Sequence, residues 1–336
     1  WIHWVRRFTG AELMGKLLER DSSRKGSVVR RLDVLSRGAS GRAARVRVTT
    51  DREEFDLAGL EVRFALGIPE TLFVAQTSGG SISNVQSLLS KETEAGLVQA
   101  DVAYWAYTRQ GSFEGLAEPA PVRAIASLYP EKMQIVVRKD ARIETFDQLK
   151  GKTISLDEAG SGTLAVLRIL LEAHRLSEKD LKPVYLKPEF TVDRFIRNEL
   201  QGFCLMAGLP VPAIERLTSV DYFIVPVDPA VAQRIQGQHP YLFPGVIPAG
   251  VYEGIGQTPT IEVYALLVVH QDLPDEMAYA LTESLWSKQV LSLLETGHAQ
   301  GASITLDTAL DGLSIPLHPG AYRFYAERGM VSKQEP

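Results

Sequence analysis

Leu72-Phe73-Val74-Ala75-Gln76-Thr77-Ser78-Gly79-Gly80-Ser81-Ile82-Ser83-Asn84-Val85-Gln86-Ser87-Leu88-Leu89 is the stretch from which the rest of the chain is read. The apolar run over 72–76 predicts a strand, the Gly/Ser segment a turn, and the residues from Ile82 an amphipathic helix. About eighty residues on, the order recurs: Thr153-Ile154-Ser155-Leu156 runs through Glu158-Ala159-Gly160-Ser161-Gly162-Thr163 into a helix from Leu164 to Ala173. A helix entered through glycines and hydroxyls leaves backbone N–H groups unpaired and carries partial positive charge at that end, so it suits a carboxylate or phosphate. Two such ends facing one cleft predict a site for one small anion.

Outward from these turns, strand and helix patterns alternate, which predicts an α/β layer architecture. Strands are expected at Ala95–Val98, Val122–Ser127 and Gln134–Val137, then at Val184–Leu186, Phe203–Met206, Tyr222–Val225 and Glu262–Val269, with a helical stretch over Glu276–Leu294. A central block bracketed by two long strands predicts one domain inserted into another. Residues 1–136 with 259–336 would form the first lobe and 137–258 the second, and their two crossings would make a hinge.

Near the start, Leu13, Met14, Leu17 and Leu18 share a face and predict a helix over Gly10–Arg20. Beyond it, Ser22–Arg47 holds eight Lys or Arg against one acid, Asp33. An irregular insertion at about 22–70 is therefore expected, a solvated or disordered segment or else a contact for an anionic surface. Within it, Arg45-Val46-Arg47-Val48 and Glu61-Val62-Arg63-Phe64 alternate as short half-exposed strands do.

With 336 residues, 45% hydrophobic and 23% charged, the chain has the balance of a soluble globular protein of two ordinary domains. Its net charge of -5 argues against sequence-independent nucleic-acid binding, which needs a basic surface. Cys204 is the single cysteine, and the six histidines show no metal spacing, so neither a metal nor any other cofactor is expected. No apolar stretch is long enough to cross a bilayer. A beginning at Trp1 rather than methionine suggests that an upstream segment has been removed.

Gly160-Ser161-Gly162-Thr163 lacks the lysine of a phosphate loop, and Ser161 lacks the glycines at both outer positions of a five-residue nucleophile elbow. Ser161 is either a hydroxyl donor to a ligand or the cap of its own helix. Thr77-Ser78-Gly79-Gly80-Ser81 has the same two readings, and Ser83 with Gln86 has capping-box spacing. Gln99-Ala100-Asp101 follows a strand end, where open α/β sheets place ligand groups; Asp101 would bind an ammonium or cap the next helix. Tyr104, Trp105 and Tyr107 wall the cleft or fill the core. Gly208, in Ala207-Gly208-Leu209-Pro210, lets backbone approach a ligand or simply turns the chain.

Eight blocks in order resemble the TAXI-type substrate-binding receptors of TRAP (tripartite ATP-independent periplasmic) transporters, over about Leu72 to Gly329. They are Thr77–Ser81, Gln99–Tyr104, Ala126–Pro130, Asp147–Lys152, Gly160–Thr163, Ala207–Pro210, Ile247–Tyr252 and Pro316–Ala321. The resemblance implies a two-lobed periplasmic-binding-protein fold of type II with two hinge crossings, a periplasmic or extracytoplasmic location, and no catalysis. It also implies a small anionic or zwitterionic ligand, glutamate-like or dicarboxylate, delivered to TRAP permease subunits. The expected ligand-binding set is Thr77, Ser78, Gly79, Ser81, Asn84, Gln99, Asp101, Ser161, Gly162, Thr163 and Gly208. The N-terminal region departs from the pattern, because the opening strand and glycine-rich turn expected before Gly10 are missing. Competing readings are an enzyme on the same scaffold, which would need an activated acid, base or nucleophile in the cleft, and a degenerate receptor that only contacts a partner protein.

Overall fold

The computed structural model describes residues 10–20, 23–37, 43–58, 78–297 and 300–332, and the chain divides into two compact units, Trp1–Thr77 and Ser78–Pro336. In the first unit, helix α1 (Gly10–Arg20) is followed by strands β1 (Val29–Arg37), β2 (Ala43–Thr50) and β3 (Glu54–Ala58), an antiparallel sheet in that order. Met14 and Leu17 of α1 pack with Val29 and Val48 into a small core.

The basic run is therefore not an irregular insertion where it is described. Its period-two alternation buries Val46 and Val48 on one face of β2 and turns Arg45 and Arg47 outward. Asp56 on β3 receives both arginines, Arg47 Nε at 2.8 Å and Arg45 Nη2 at 3.4 Å. The strands expected at Leu72–Gln76 and Glu61–Phe64 lie outside the described residues, as does Thr77.

The second unit begins with helix α2 (Ser81–Leu89), strand β4 (Ala95–Gln99) and helix α3 (Ala100–Thr108), which starts without a connecting loop. Strand β5 (Val122–Arg138) merges two expected strands into one. Its middle, Leu128 to Lys132, stays extended through Pro130, which lies opposite Tyr264; a register shift between Ala265 and Leu266 takes up the irregularity.

Then come β6 (Thr153–Ser155), α4 (Gly162–Ala173), β7 (Lys182–Val184), α5 (Pro188–Ile196), β8 (Gly202–Ala207), α6 (Pro212–Glu215) and β9 (Tyr222–Ile224). Helix α7 (Pro229–Gln238), β10 (Phe243–Ile247), β11 (Thr258–His270), α8 (Asp275–Leu285), α9 (Lys288–Gly297) and α10 (Pro319–Glu327) complete the unit. The single helix expected over Glu276–Leu294 is broken at Trp286, whose indole N–H is spent on the buried Tyr325 hydroxyl at 2.9 Å.

One mixed sheet runs β10-β11-β5-β8-β6-β7, with β4 on β11 and β9 on β5. Both long strands change partners partway. Residues 122–132 of β5 pair with β11, and residues 132–137 with β8; residues 258–262 of β11 pair with β10, and residues 265–269 with β4. Lys132 and Glu262 face each other at the exchange point and form an ion pair. The parallel β6–β8 pair is covered by the apolar face of α4, where Leu164, Val166, Leu167, Leu170 and Leu171 are all buried. The α/β class expected from the alternation is the one observed.

Candidate functional site

The two Gly/Ser turns are built differently. Ser161 caps α4 with its side chain, accepting the Leu164 N–H at 3.1 Å, while Thr163 Oγ1 accepts the Met206 N–H at 3.1 Å and so ties α4 to β8. Both hydroxyls also hydrogen-bond the Asp157 carboxyl, which Glu158 N–H reaches at 2.8 Å; burial nonetheless holds Asp157 above the usual carboxylate range. The cap of α2 is Gly80, at φ 105, a conformation that favours glycine. Ser78 Oγ accepts the Gly80 N–H at 3.1 Å, and buried Ser81 Oγ accepts the Gln99 N–H at 3.1 Å. Asn84 turns away from the turn and donates to Leu97 O at 2.7 Å, clamping α2 to β4.

The turns meet head to head. A Cβ on Gly80 would stand 3.2 Å from Ser161 Cα, and one on Gly162 would fall 1.7 Å from Gln99 Oε1. The Gln99 amide therefore occupies the space before the first turn of α4, where the sequence places a ligand carboxylate. Across the same junction Lys187 reaches Ser78 O at 3.4 Å and Glu158 Oε1 at 3.3 Å. Ser78, Gly79, Ser81, Gln99, Ser161, Gly162 and Thr163 are thus gathered around one junction, with their hydroxyls already engaged by protein groups. Gly208 lies elsewhere, in a cleft of about 180 Å³ that it shares with Tyr129, Glu131, Pro210, Val211 and Gln300.

Residues 68–329, a stretch holding both turns and the cleft, match the model of the NMT1-like family. The chain belongs to the NMT1-like family. Among solved structures, the alkanesulfonate-binding protein SsuA from Xanthomonas axonopodis pv. citri bound to MOPS is similar at 16% identity and TM-score 0.41, over 74% of this chain and 71% of that one. A binding protein component of an ABC phosphonate transporter from Pseudomonas aeruginosa is similar at 10% identity and TM-score 0.42, over 70% of each chain. The amino acid ABC transporter substrate-binding protein AbpA from Streptococcus pneumoniae, bound to L-arginine, is similar at 11% identity and TM-score 0.39, over 78% of this chain and 87% of that one. At these values the likeness is loose and says nothing about a ligand.

The electrostatics of this NMT1-like chain are concentrated where Gln99 joins the cleft. Gln99 Nε2 donates to Glu131 Oε2 at 2.6 Å, and the buried Gln99 Oε1 has no partner. Asp101, in the first turn of α3, is wholly buried with neither carboxylate oxygen hydrogen-bonded. Burial, and then repulsion from Glu131, raises Asp101 to about 7 against the pull of nearby α3 N–H groups; burial likewise raises Glu131 to about 7, opposed by the Gln99 bond. The nearest lysine along β5, Lys132, is committed to Glu262.

Glu131, Asp157, Lys187 and Gln300 are members of the site that the sequence reading does not reach. A signal for Glu131 existed: Pro130-Glu131-Lys132 is a charged step between two apolar strand patterns, and reading them as one strand would have put its carboxylate in the sheet. Gln300 carries no local signal; it joins the site because its side chain reaches the carbonyl of Leu209, ninety-one residues away. Of the noted aromatics, Trp105 donates to Tyr241 OH at 2.7 Å, and Tyr104 and Tyr107 pack against the core. Among the described residues no group of three or more His, Cys, Asp or Glu is arranged to hold a metal, and no helix is long and apolar enough to cross a membrane.

Proposed function

We propose that this NMT1-like chain is an extracytoplasmic solute-binding receptor, which captures a small organic anion or amino acid and hands it to a membrane permease. In this reading residues 1–136 with 259–336 act as one lobe and 137–258 as the other, and they open and close about β5 and β11. The observation that carries it is the exchange of partners by both long strands at the facing pair Lys132 and Glu262, a geometry suited to two bodies joined by two crossings. The meeting of the Gly80 and Ser161 turns fits a closed arrangement. In an opened one, Ser78, Gly79, Ser81, Gln99, Ser161, Gly162 and Thr163 would present N–H and hydroxyl donors, with Asp101 and Gly208 deeper in the cleft. Thr77 and Asn84 would flank them. Helix ends contribute only about 0.3 to 1 kcal/mol each when exposed, so micromolar affinity needs several donors converging on closure.

The eight-block resemblance makes a TRAP-type permease, driven by an ion gradient, the proposed partner. Native mass spectrometry of the purified chain tests the receptor reading: a retained small molecule is expected, and its retention should fall in Ser81→Ala and Thr163→Ala. Undiminished retention in both would reject these residues as contacts, and an empty protein that stays folded through a metabolite screen would reject the receptor. Uptake in membrane vesicles then separates permease classes, since collapse of the ion gradient, and not ATP depletion, should abolish it.

A further inference from the structure

The cleft beside Gly208 is lined by apolar groups along one wall, from Ala207, Pro210, Val211 and Pro212, and carries one acid, Glu131. Its volume of about 180 Å³ is below the roughly 300–1,000 Å³ of pockets for drug-sized ligands, so it suits a short chain with a single polar head. Glu131 Oε2 is fixed by Gln99 Nε2 at 2.6 Å, which orients the carboxyl, and none of its described ion pairs or hydrogen bonds involves a cation. Outside the cleft lining, Gln99 Oε1, which lies against Gly162, and the whole carboxyl of Asp101 are buried acceptors without hydrogen-bond partners. Unpaired buried acceptors are uncommon, and two acids that repel each other in a poorly hydrated place call for a positive charge or for protons.

We infer that the acidic end of this cleft is a subsite for a primary ammonium group, with Glu131 as its counter-ion and the Pro210–Pro212 wall receiving the attached carbon chain. An ammonium brings three donors and no acceptor, which matches a cleft whose one charged lining group is the Glu131 carboxyl. A free carboxylate would meet like charge there. The inference deepens the receptor reading and rests on it for the existence of a ligand; within that reading it selects amine-bearing solutes over dicarboxylates. Protonation is the structure's other way to satisfy the pair. A bound ammonium should therefore expel a proton near neutral pH, because burial raises the Glu131 carboxyl to about 7.

Isothermal titration of the full chain with n-butylammonium chloride, putrescine dihydrochloride, potassium chloride and disodium glutarate is the test, run at about pH 6.5 in two buffers of different ionisation enthalpy. The expected result is binding of both amines with proton release, and an affinity at least about tenfold weaker in Glu131→Gln. Glutarate binding while the amines do not would overturn the ammonium assignment and leave the receptor standing. Potassium binding as well as the amines would overturn it in favour of a plain cation site. Silence from every probe would also overturn it, and a solute retained in native mass spectrometry would show that the receptor survives the loss. Should Glu131→Gln fail to fold, proton release in the wild-type chain decides: amine binding without it counts against Glu131.

Discussion

Gly162→Ala probes the junction of the two turns most directly. The new methyl would sit 1.7 Å from Gln99 Oε1 and 2.4 Å from Gln99 Cδ, so the amide has to leave. Moving the end of a flexible side chain is cheap in itself; the cost is the 2.6 Å bond from Gln99 Nε2 to Glu131, worth about 1 to 3 kcal/mol for a bond to an acid. Alanine at a helix start returns at most about 1 kcal/mol, so a net loss of up to about 3 kcal/mol is expected, or at most roughly 9 °C in melting temperature. Urea unfolding of Gly162→Ala, Gln99→Ala and the double variant forms the assay. With Gln99 already truncated, the three contacts nearest the methyl are gone, and the Gly162 substitution should become neutral or mildly stabilising. Coupling of about 1 to 3 kcal/mol between the two positions is therefore predicted. The same effect of Gly162→Ala with and without the Gln99 side chain would refute the head-to-head packing.

Asp101→Asn tests the buried acid. A carboxyl raised from 3.8 to about 7 binds its proton more tightly when folded, so wild-type stability should fall as pH climbs from about 4 to about 7 and level off above. That span corresponds to as much as about 4 kcal/mol, and Asp101→Asn should make the curve shallower in urea titrations at several pH values, leaving the part owed to Glu131; an unchanged slope would reject the assignment. Tyr252→Phe removes a buried hydroxyl that donates to Gln134 Oε1 at 2.6 Å and accepts the Val211 N–H at 2.9 Å. Stranding both partners should lower unfolding stability by about 2 to 4 kcal/mol, and a loss below about 0.5 would mean that the network is not formed. In Ser161→Ala, loss of the α4 cap should cost about 1 kcal/mol and, with one hydroxyl donor gone, the Asp157 carboxyl should titrate still higher by carbon-detected NMR. A titration unmoved or lowered would remove Ser161 from the Asp157 cluster.

The α/β class, both Gly/Ser turns and the helices that leave them were legible because each depends on residues within one turn or one strand of each other. Ile82, Val85 and Leu88 read as a buried helix face and are one. In the same way Ser161 read as a possible cap and is one. The basic segment misled for a compositional reason: arginine density suggests a solvated chain, yet alternate residues Val46 and Val48 supply an inward face, and Asp56 neutralises the outward one. The double strand that became β5 misled because Pro130 and two charged residues look like a stop, whereas pairing with β11, joined by β8 from Lys132 onward, keeps them extended.

By itself the sequence determined where helices begin, which faces are apolar, and that two helices are entered through glycines. These follow from periodicity and capping, which act over a few residues. Only the tertiary structure decided that the two starts abut so closely that Gln99 fills the place in front of Gly162, that Glu131 shares a cleft with Gln300, and that Asp101 is buried without a hydrogen-bond partner. Those relations join residues as far apart as Glu131 and Gln300, and the energy of a buried carboxyl is set by the dielectric and the partners that folding brings to it, which no local pattern encodes.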